Sequence, residues 1–184
     1  MGTLRHPLPV KLFVGMLSPE PPLFDACADI LIKEFGPLEA ESVLFPWSTS
    51  DYYRNELGSD VFRKFLFFEQ TMDPGKLPSI KHFTNTLERT CGAVQSGEQL
   101  RRRINLDPGY ITEAKVVLAT TKDFAHRLYI GYDIYAEVTL RYDTKQRSFK
   151  PHEHTYPDYR TPEYLDLFNA ARENLRLALN KNKS

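Results

Sequence analysis

Glycine is scarce in this chain, nine residues in 184, and none of the nine spells a nucleotide-binding signature. A phosphate-cradling loop needs GxxxxGK followed by Ser or Thr, and a dinucleotide turn needs GxGxxG, because only bare backbone closes that tightly on phosphate. Neither occurs, and the GxSxG elbow that presents a nucleophilic serine is missing as well. Cysteine is nearly absent too. Cys27 and Cys91 are too far apart in sequence for a dithiol or zinc-type spacing, and each falls on the apolar stripe of a predicted helix, where a thiol acts as a small buried hydrophobe.

Long apolar runs are also lacking. No segment approaches the roughly 20 apolar residues of a membrane span, and the opening MGTLRHPLPVKLF has no apolar stretch of signal-peptide length. Arg5, His6 and Pro7 do not supply the Ser or Thr that lipidation at Gly2 would need. These readings make the cytoplasm the default compartment and exclude a membrane partner. Excess charge of one sign is missing as well, with 24 basic against 24 acidic residues. A protein that relies on phosphate neutralisation usually carries a basic surplus, so nucleic acid is not the expected partner. The balance is uneven, however: residues 1 to 60 hold four Lys or Arg and nine acids, so basic residues concentrate later in the chain and leave room for a local anion pocket.

What the chain does have is aromatic: twelve Phe and ten Tyr, in a composition 41% hydrophobic and 26% charged. That is an ordinary globular balance, and the length suffices for a sizeable core in a single domain over 1–184. Val10 to Leu17 is a nearly continuous apolar run, the pattern of a strand buried on both faces. A helix follows from Pro22 to Phe35, stopped by Gly36 and Pro37. Glu41 to Trp47 reads as a second strand limited by Pro46, Ser48 to Gly58 as a surface loop with one helical turn, and Val61 to Gln70 as a strand. The next helix covers Pro78 to Thr90. Arg101 to Asp107 reads as a strand ended by an Asp107-Pro108-Gly109 turn, and Thr112 as the cap of a helical turn to Leu118, although Val116 to Leu118 would also suit a strand. Thr161 and Pro162 open a last helix with Tyr164, Phe168, Ala171, Leu175 and Leu179 on its buried stripe. The order predicts an α+β fold: a mainly antiparallel mixed sheet with helices on one face, a split strand-helix-strand (ferredoxin-like) plait extended by a β-hairpin and a C-terminal helix.

The interpretable polar residues concentrate between Arg103 and Arg141. Leu128, Ile130, Ile134, Ala136, Val138 and Leu140 share one parity, while Arg127, Tyr129, Tyr135, Glu137, Thr139 and Arg141 share the other, which marks a hairpin with a dry and a polar face. Sorting the faces predicts a three-residue loop, Gly131 to Asp133, pairing Ile130 with Ile134, Leu128 with Ala136 and Arg127 with Glu137. Arg127 and Glu137 then have a plain structural reading as a cross-strand ion pair. A site reading makes Arg103, Lys122 and Arg127 holders of a small anion, with Tyr156 and Tyr159 closing over it from the irregular stretch Asp143 to Arg160, where packed rings argue for docking on the body. Backbone N–H groups of the Asp107–Gly109 turn would add donors. His126, whose imidazole belongs to the class that titrates near neutrality, is the candidate general base with Glu137 beside it, should the protein be an enzyme. His152 and His154, two apart, could meet one ion with Asp158 or His126, but HxH alone is a weak signal and no metal is assigned. No motif names a cofactor.

The run RRINLDPGYITEAKVVLATTKDFAHRLYIG, then IYAEVTLRY and TYPDYR, together with DYYRNELG and FFEQTMDP earlier, resembles over nearly its full length a family of short prokaryotic proteins known only as a domain of unknown function (DUF4416-like). The resemblance implies no activity, substrate or catalytic residue. In relatives of that kind the positions of His152 and His154 are more often aromatic, which speaks against an essential metal there. The expectation is therefore a protein binding a small anionic ligand, such as a phosphorylated metabolite or nucleotide, at the polar hairpin face. The alternative is a protein-interaction module or homo-oligomer using the same Tyr- and Arg-rich surface.

Overall fold

The structure is a computed structural model describing residues 2–47, 60–96 and 99–181, with the backbone alone described for 92–96 and 99–101. In chain order the elements are β1 (Val10–Ser18), α1 (Pro21–Phe35), β2 (Leu38–Glu41), β3 (Phe45–Trp47), β4 (Val61–Met72), α2 (Leu77–Gly92), β5 (Ala93–Ser96), β6 (Gln99–Arg102), β7 (Asn105–Ile111), β8 (Lys115–Thr120), β9 (Leu128–Gly131), β10 (Ile134–Asp143), β11 (Ser148–Lys150) and α3 (Pro162–Lys181). The main sheet runs β11-β10-β8-β7-β1-β4-β2, with β3 also on β4 and β9 also on β10, while β5 and β6 form a separate hairpin. Every pairing is antiparallel. The four strands β7-β1-β4-β2, crossed by α1 and α2, form the split strand-helix-strand plait, and β8, β10 and β11 extend it beyond β7. The fold is of the α+β class.

Every residue of β1 is buried, as its nearly continuous apolar run leads one to expect, and the buried Lys11 amine is paired with Glu39 at 2.9 Å. Leu12, Val14 and Met16 meet Leu66 and Phe68 of β4 and the stripe Phe24, Cys27, Ala28 and Leu31 of α1, with Ile80 and Leu87 of α2 closing the layer. Alternate positions face the other way, so Phe13, Phe65 and Phe67 form a second layer with Tyr164, Phe168 and Ala171 of α3. Helices therefore cover both faces. The expected one-face arrangement holds for α1 and α2, but α3 packs on the opposite side because that face of β1 and β4 also carries apolar rings, at Phe13, Phe65 and Phe67. Ring contacts dominate that side: Phe13 and Phe168 lie edge to face at 5.0 Å, Phe65 and Tyr164 at 4.8 Å. Each such pair is worth about 0.5–1.5 kcal/mol beyond the area it buries.

Helix α1 takes prolines in its first turn and ends where Gly36, at φ +94, donates its N–H to the Ile32 carbonyl. The expected strand from Glu41 to Trp47 is instead two short ones, β2 and β3, both on β4, with Pro46 inside β3. The loop expected at Ser48 to Gly58 lies outside the described residues. Thr112 caps no helix. Its hydroxyl accepts the N–H groups of Ala114 and Lys115, both at 3.0 Å, in the turn that joins β7 to β8, and Val116 to Leu118 are strand.

The largest correction concerns Asp107-Pro108-Gly109, which is no turn but the middle of β7, opposite Gly15, Val14 and Phe13 of β1. Turn chemistry is a local preference, and tertiary pairing overrides it here. Glycine is needed at 109 for closeness: a Cβ there would stand 2.4 Å from the Val117 carbonyl oxygen and 2.5 Å from the Phe13 ring. Pro108 is tolerated because pairing with β8 covers only Gly109 to Ile111, against Leu118 to Val116. Among the described residues no helix is long and apolar enough to cross a membrane. Gly109→Ala should cost about 1–3 kcal/mol, the usual penalty of overpacking, read as a lower urea midpoint. An unchanged midpoint would contradict the contact.

Candidate functional site

The hairpin of β9 and β10 is built by a tighter turn than the sequence suggests. Tyr132 and Asp133, at φ 54 and 57, are the two central residues, so Gly131 rather than Ile130 stands opposite Ile134. Positive φ at both central positions matches the right-handed twist of the strands. A bulge after Ile134 then restores the expected pairing of Leu128 with Ala136, so the faces do not mix. A second bulge between Val138 and Leu140 turns Val138 outward and leaves Thr139 and Leu140 buried.

Opposite the hairpin's root, Glu137 is buried and its Oε2 accepts from Arg127 Nε at 2.7 Å. His126 Nε2 lies 3.0 Å from the same oxygen. Arg127 spends its other nitrogens on the Lys122 carbonyl at 3.0 Å and the Tyr156 hydroxyl at 2.7 Å, and its guanidinium sits 4.4 Å from the centre of the Phe124 ring. The expected ion pair is thus an interior one, with every guanidinium nitrogen engaged. Burial pushes the Tyr156 hydroxyl up to about 12, with the Glu137 charge adding to the effect and Arg127 opposing it. Glu137 Oε1 is buried without a partner among the described residues.

Over this chain lies the segment after β11. The His154 ring stacks on His126 with centroids 4.3 Å apart and planes 8° from parallel. His154 Nε2 is 3.0 Å from Glu153, the His152 ring bonds the Val138 carbonyl, and the Thr155 hydroxyl donates to the Thr139 carbonyl at 2.6 Å. Arg160 holds the segment's curl through Nε to the Thr155 carbonyl at 2.9 Å and Nη2 to the carbonyls of His152 and Glu153 at 2.8 and 2.9 Å.

Of the residues singled out in the sequence, His126, Glu137, Arg127 and Tyr156 meet, and Lys122 joins them through its carbonyl. Arg103 does not. It forms a two-pronged pair with Glu20 at the end of β1, where the guanidinium holds the Glu20 carboxyl below its usual value, and it shares no partner with the group around Arg127. Tyr159 is core, stacked on Phe168 at 5.6 Å and only 1% exposed, so it is placed as packing and not as a cover. Gly109 and its neighbours, lying in β7, open no helix and offer no nest of donors. Among the described residues no three His, Cys, Asp or Glu side chains are grouped to hold a metal.

Sequence reasoning missed two features. Arg160 as a clamp left no trace in spacing. Arg63 did leave one, a charge on the same parity as Phe65 and Phe67: it is buried between Asp158 at 3.1 Å and Asp107 at 3.4 Å, with Trp47 Nε1 also on Asp158 at 3.1 Å.

A family model, described as Domain of unknown function (DUF4416), matches residues 8–175. The chain belongs to that family. The match to DUF4416 spans the plait, the hairpin and the segment carrying His152 to Arg160. No curated protein and no solved structure matches it.

Removing one partner of a buried ion pair typically costs about 3–5 kcal/mol, whereas replacing both with apolar residues of similar volume is often close to neutral. Glu137→Ala should therefore lower stability by that amount, and the double change Arg127→Met with Glu137→Leu should recover most of it, both read by denaturant unfolding. Base titration followed by tyrosinate absorbance supplies a second check. A raised folded value means that Tyr156 contributes stability in full below the ordinary tyrosine value of about 10, lost as pH rises through about 12. Tyr156→Phe should remove one late-ionising ring and flatten that alkaline loss.

Proposed function

We propose that this protein binds a small anionic ligand, such as a phosphorylated metabolite or a nucleotide, at the rim of the hairpin where His126 and His154 stack. Arg127, Glu137 and Tyr156 serve as the rigid support beneath. A buried ion pair is a poor investment in stability compared with apolar packing, so a chain of groups held at 2.7–3.0 Å is better explained by what it positions. What it positions is His126. With Nε2 turned to Glu137, the ring keeps one orientation and would meet a ligand through Nδ1.

The observation that carries the anion is Arg160. Its guanidinium is bound to three backbone carbonyls and, among the described residues, pairs with no carboxylate, so a positive charge is fixed in the loop that carries His152 and His154. Fixed donors around a positive centre suit phosphate or carboxylate oxygens. Arg127, neutralised by Glu137, is support in this reading and not the anchor. His126 as a general base, oriented by Glu137, is the enzymatic form of the same proposal.

Thermal unfolding in the presence of orthophosphate, nucleotides and small carboxylates tests it. A ligand at a hundred times its dissociation constant stabilises by about 2.7 kcal/mol, a readable shift for a chain of this size. One anion class should raise the midpoint of the parent protein. His154→Ala, altering a half-exposed ring, should abolish that shift and leave the unliganded midpoint nearly in place, while Arg103→Ala should keep the shift. No stabilisation by any anion would overturn the reading.

A further inference from the structure

Of the twelve phenylalanines in this chain, eleven are buried or half-buried. The twelfth is Phe124, 54% exposed, in the loop between β8 and β9. One of its faces has an occupant. The buried Arg127 guanidinium lies 4.4 Å from the ring centre, so Phe124 caps the support of the candidate site. A cap uses one face of a ring and leaves the other to solvent.

A single exposed apolar residue is ordinary on a protein surface, but Phe124 does not stand alone. It begins a row of rings. His126 follows at 6.2 Å, centre to centre, and His154 stacks on His126 at 4.3 Å. The row runs from the loop before β9 to the segment curled by Arg160, whose guanidinium is held on the carbonyls of His152 and Glu153. Apolar ring surface at one end and a fixed positive charge at the other give the rim two chemistries.

The charge at this rim is limited. The exposed charged residues of the two segments, Lys122 and Arg160 against Asp123 and Glu153, balance. Asp123 lies beside the Tyr135 hydroxyl, whose pKa its charge raises, and Glu153 is 3.0 Å from His154. A balanced rim does not gather a polyanion, whose binding depends on several neutralised phosphates. One fixed guanidinium suits one phosphate, and the remaining affinity has to come from the surface beside it, which is aromatic.

We propose that the ligand of this site is a nucleoside monophosphate, with its base stacked on the outer face of Phe124 and its phosphate directed along the row of rings to Arg160. This inference rests on the anion reading and narrows it. A phosphorylated sugar has no flat ring to set on Phe124, whereas every base has a π face, so the stack accepts any base.

Titration calorimetry of the full chain with adenosine monophosphate, ribose phosphate and orthophosphate tests it. The nucleotide should bind about ten- to a hundredfold more tightly than ribose phosphate, the range expected of one stacked base. Phe124→Leu keeps an apolar cover over Arg127 but removes the ring. It should bring the two ligands to one affinity while leaving ribose phosphate where it was, and Phe124→Tyr should restore the gap. Equal binding of the two by the parent, or a gap undiminished in Phe124→Leu, would overturn the stacked base and leave the anion reading standing. Failure of all three ligands to bind would remove both. Tighter binding of adenosine triphosphate, or of a short single-stranded oligonucleotide, than of the monophosphate would overturn the choice of a single phosphate.

Discussion

A strand without a wet face needs a cover on each side, and β1 is such a strand. Its even positions are sealed by α1 and α2 and Phe13, on the other face, by α3, and neither cover can replace the other because side chains alternate along a strand. Much of the architecture follows from that. The plait supplies the first cover by its own crossovers, as any split strand-helix-strand unit does. The second must come from outside the plait, which is why the chain goes on through β8, β10 and β11 before α3 returns along the aromatic face. Residues of the candidate site lie on that outward and return path, at a hairpin and a loop, and not on the plait.

This division separates two kinds of buried polar group. Arg63, between Asp158 and Asp107, lies on the aromatic face of the plait and ties the end of the return segment to β4 and β7. Arg127 lies at the hairpin and ties β10 to the same segment further upstream, through Tyr156. Arg127 thus fastens the middle of the stretch from His152 to Arg160 and Arg63 its end, while Arg160 curls its first residues. A segment with only three residues of 3-10 helix is fixed by three arginines in place of a hydrogen-bond ladder.

The parts legible in sequence were those whose burial is decided within one element. The α3 stripe from Tyr164 to Leu179 and the apolar run of β1 could be read directly, because a helix or strand reports its buried face through its own period. The Arg127–Glu137 pair was legible for the same reason, since parity sorted the hairpin. Gly109 was misread because its reason lies in Phe13 and Val117, far away in sequence, while Asp-Pro-Gly is a strong local turn signal. Tyr159 was misread as a cover because a tyrosine in a polar loop looks amphipathic, and only α3 reveals that its ring is core. Arg103 looked like a site residue from proximity in sequence, yet its partner, Glu20, follows β1 directly and is reached through the β1–β7 pairing. The two-residue turn is not legible in the sequence because the bulge that repairs its register leaves no mark in the pattern.

The position of α3 has a further consequence for how the protein comes into being. Chains are made from the amino end, and domains fold as their parts emerge. Every strand of the sheet precedes α3, so during synthesis Phe13, Phe65 and Phe67 stand uncovered on a nearly finished sheet until the last helix leaves the ribosome. A chain interrupted before Pro162 would carry its aromatic face into the cell, where it offers other unfinished chains and chaperones the surface that α3 otherwise claims.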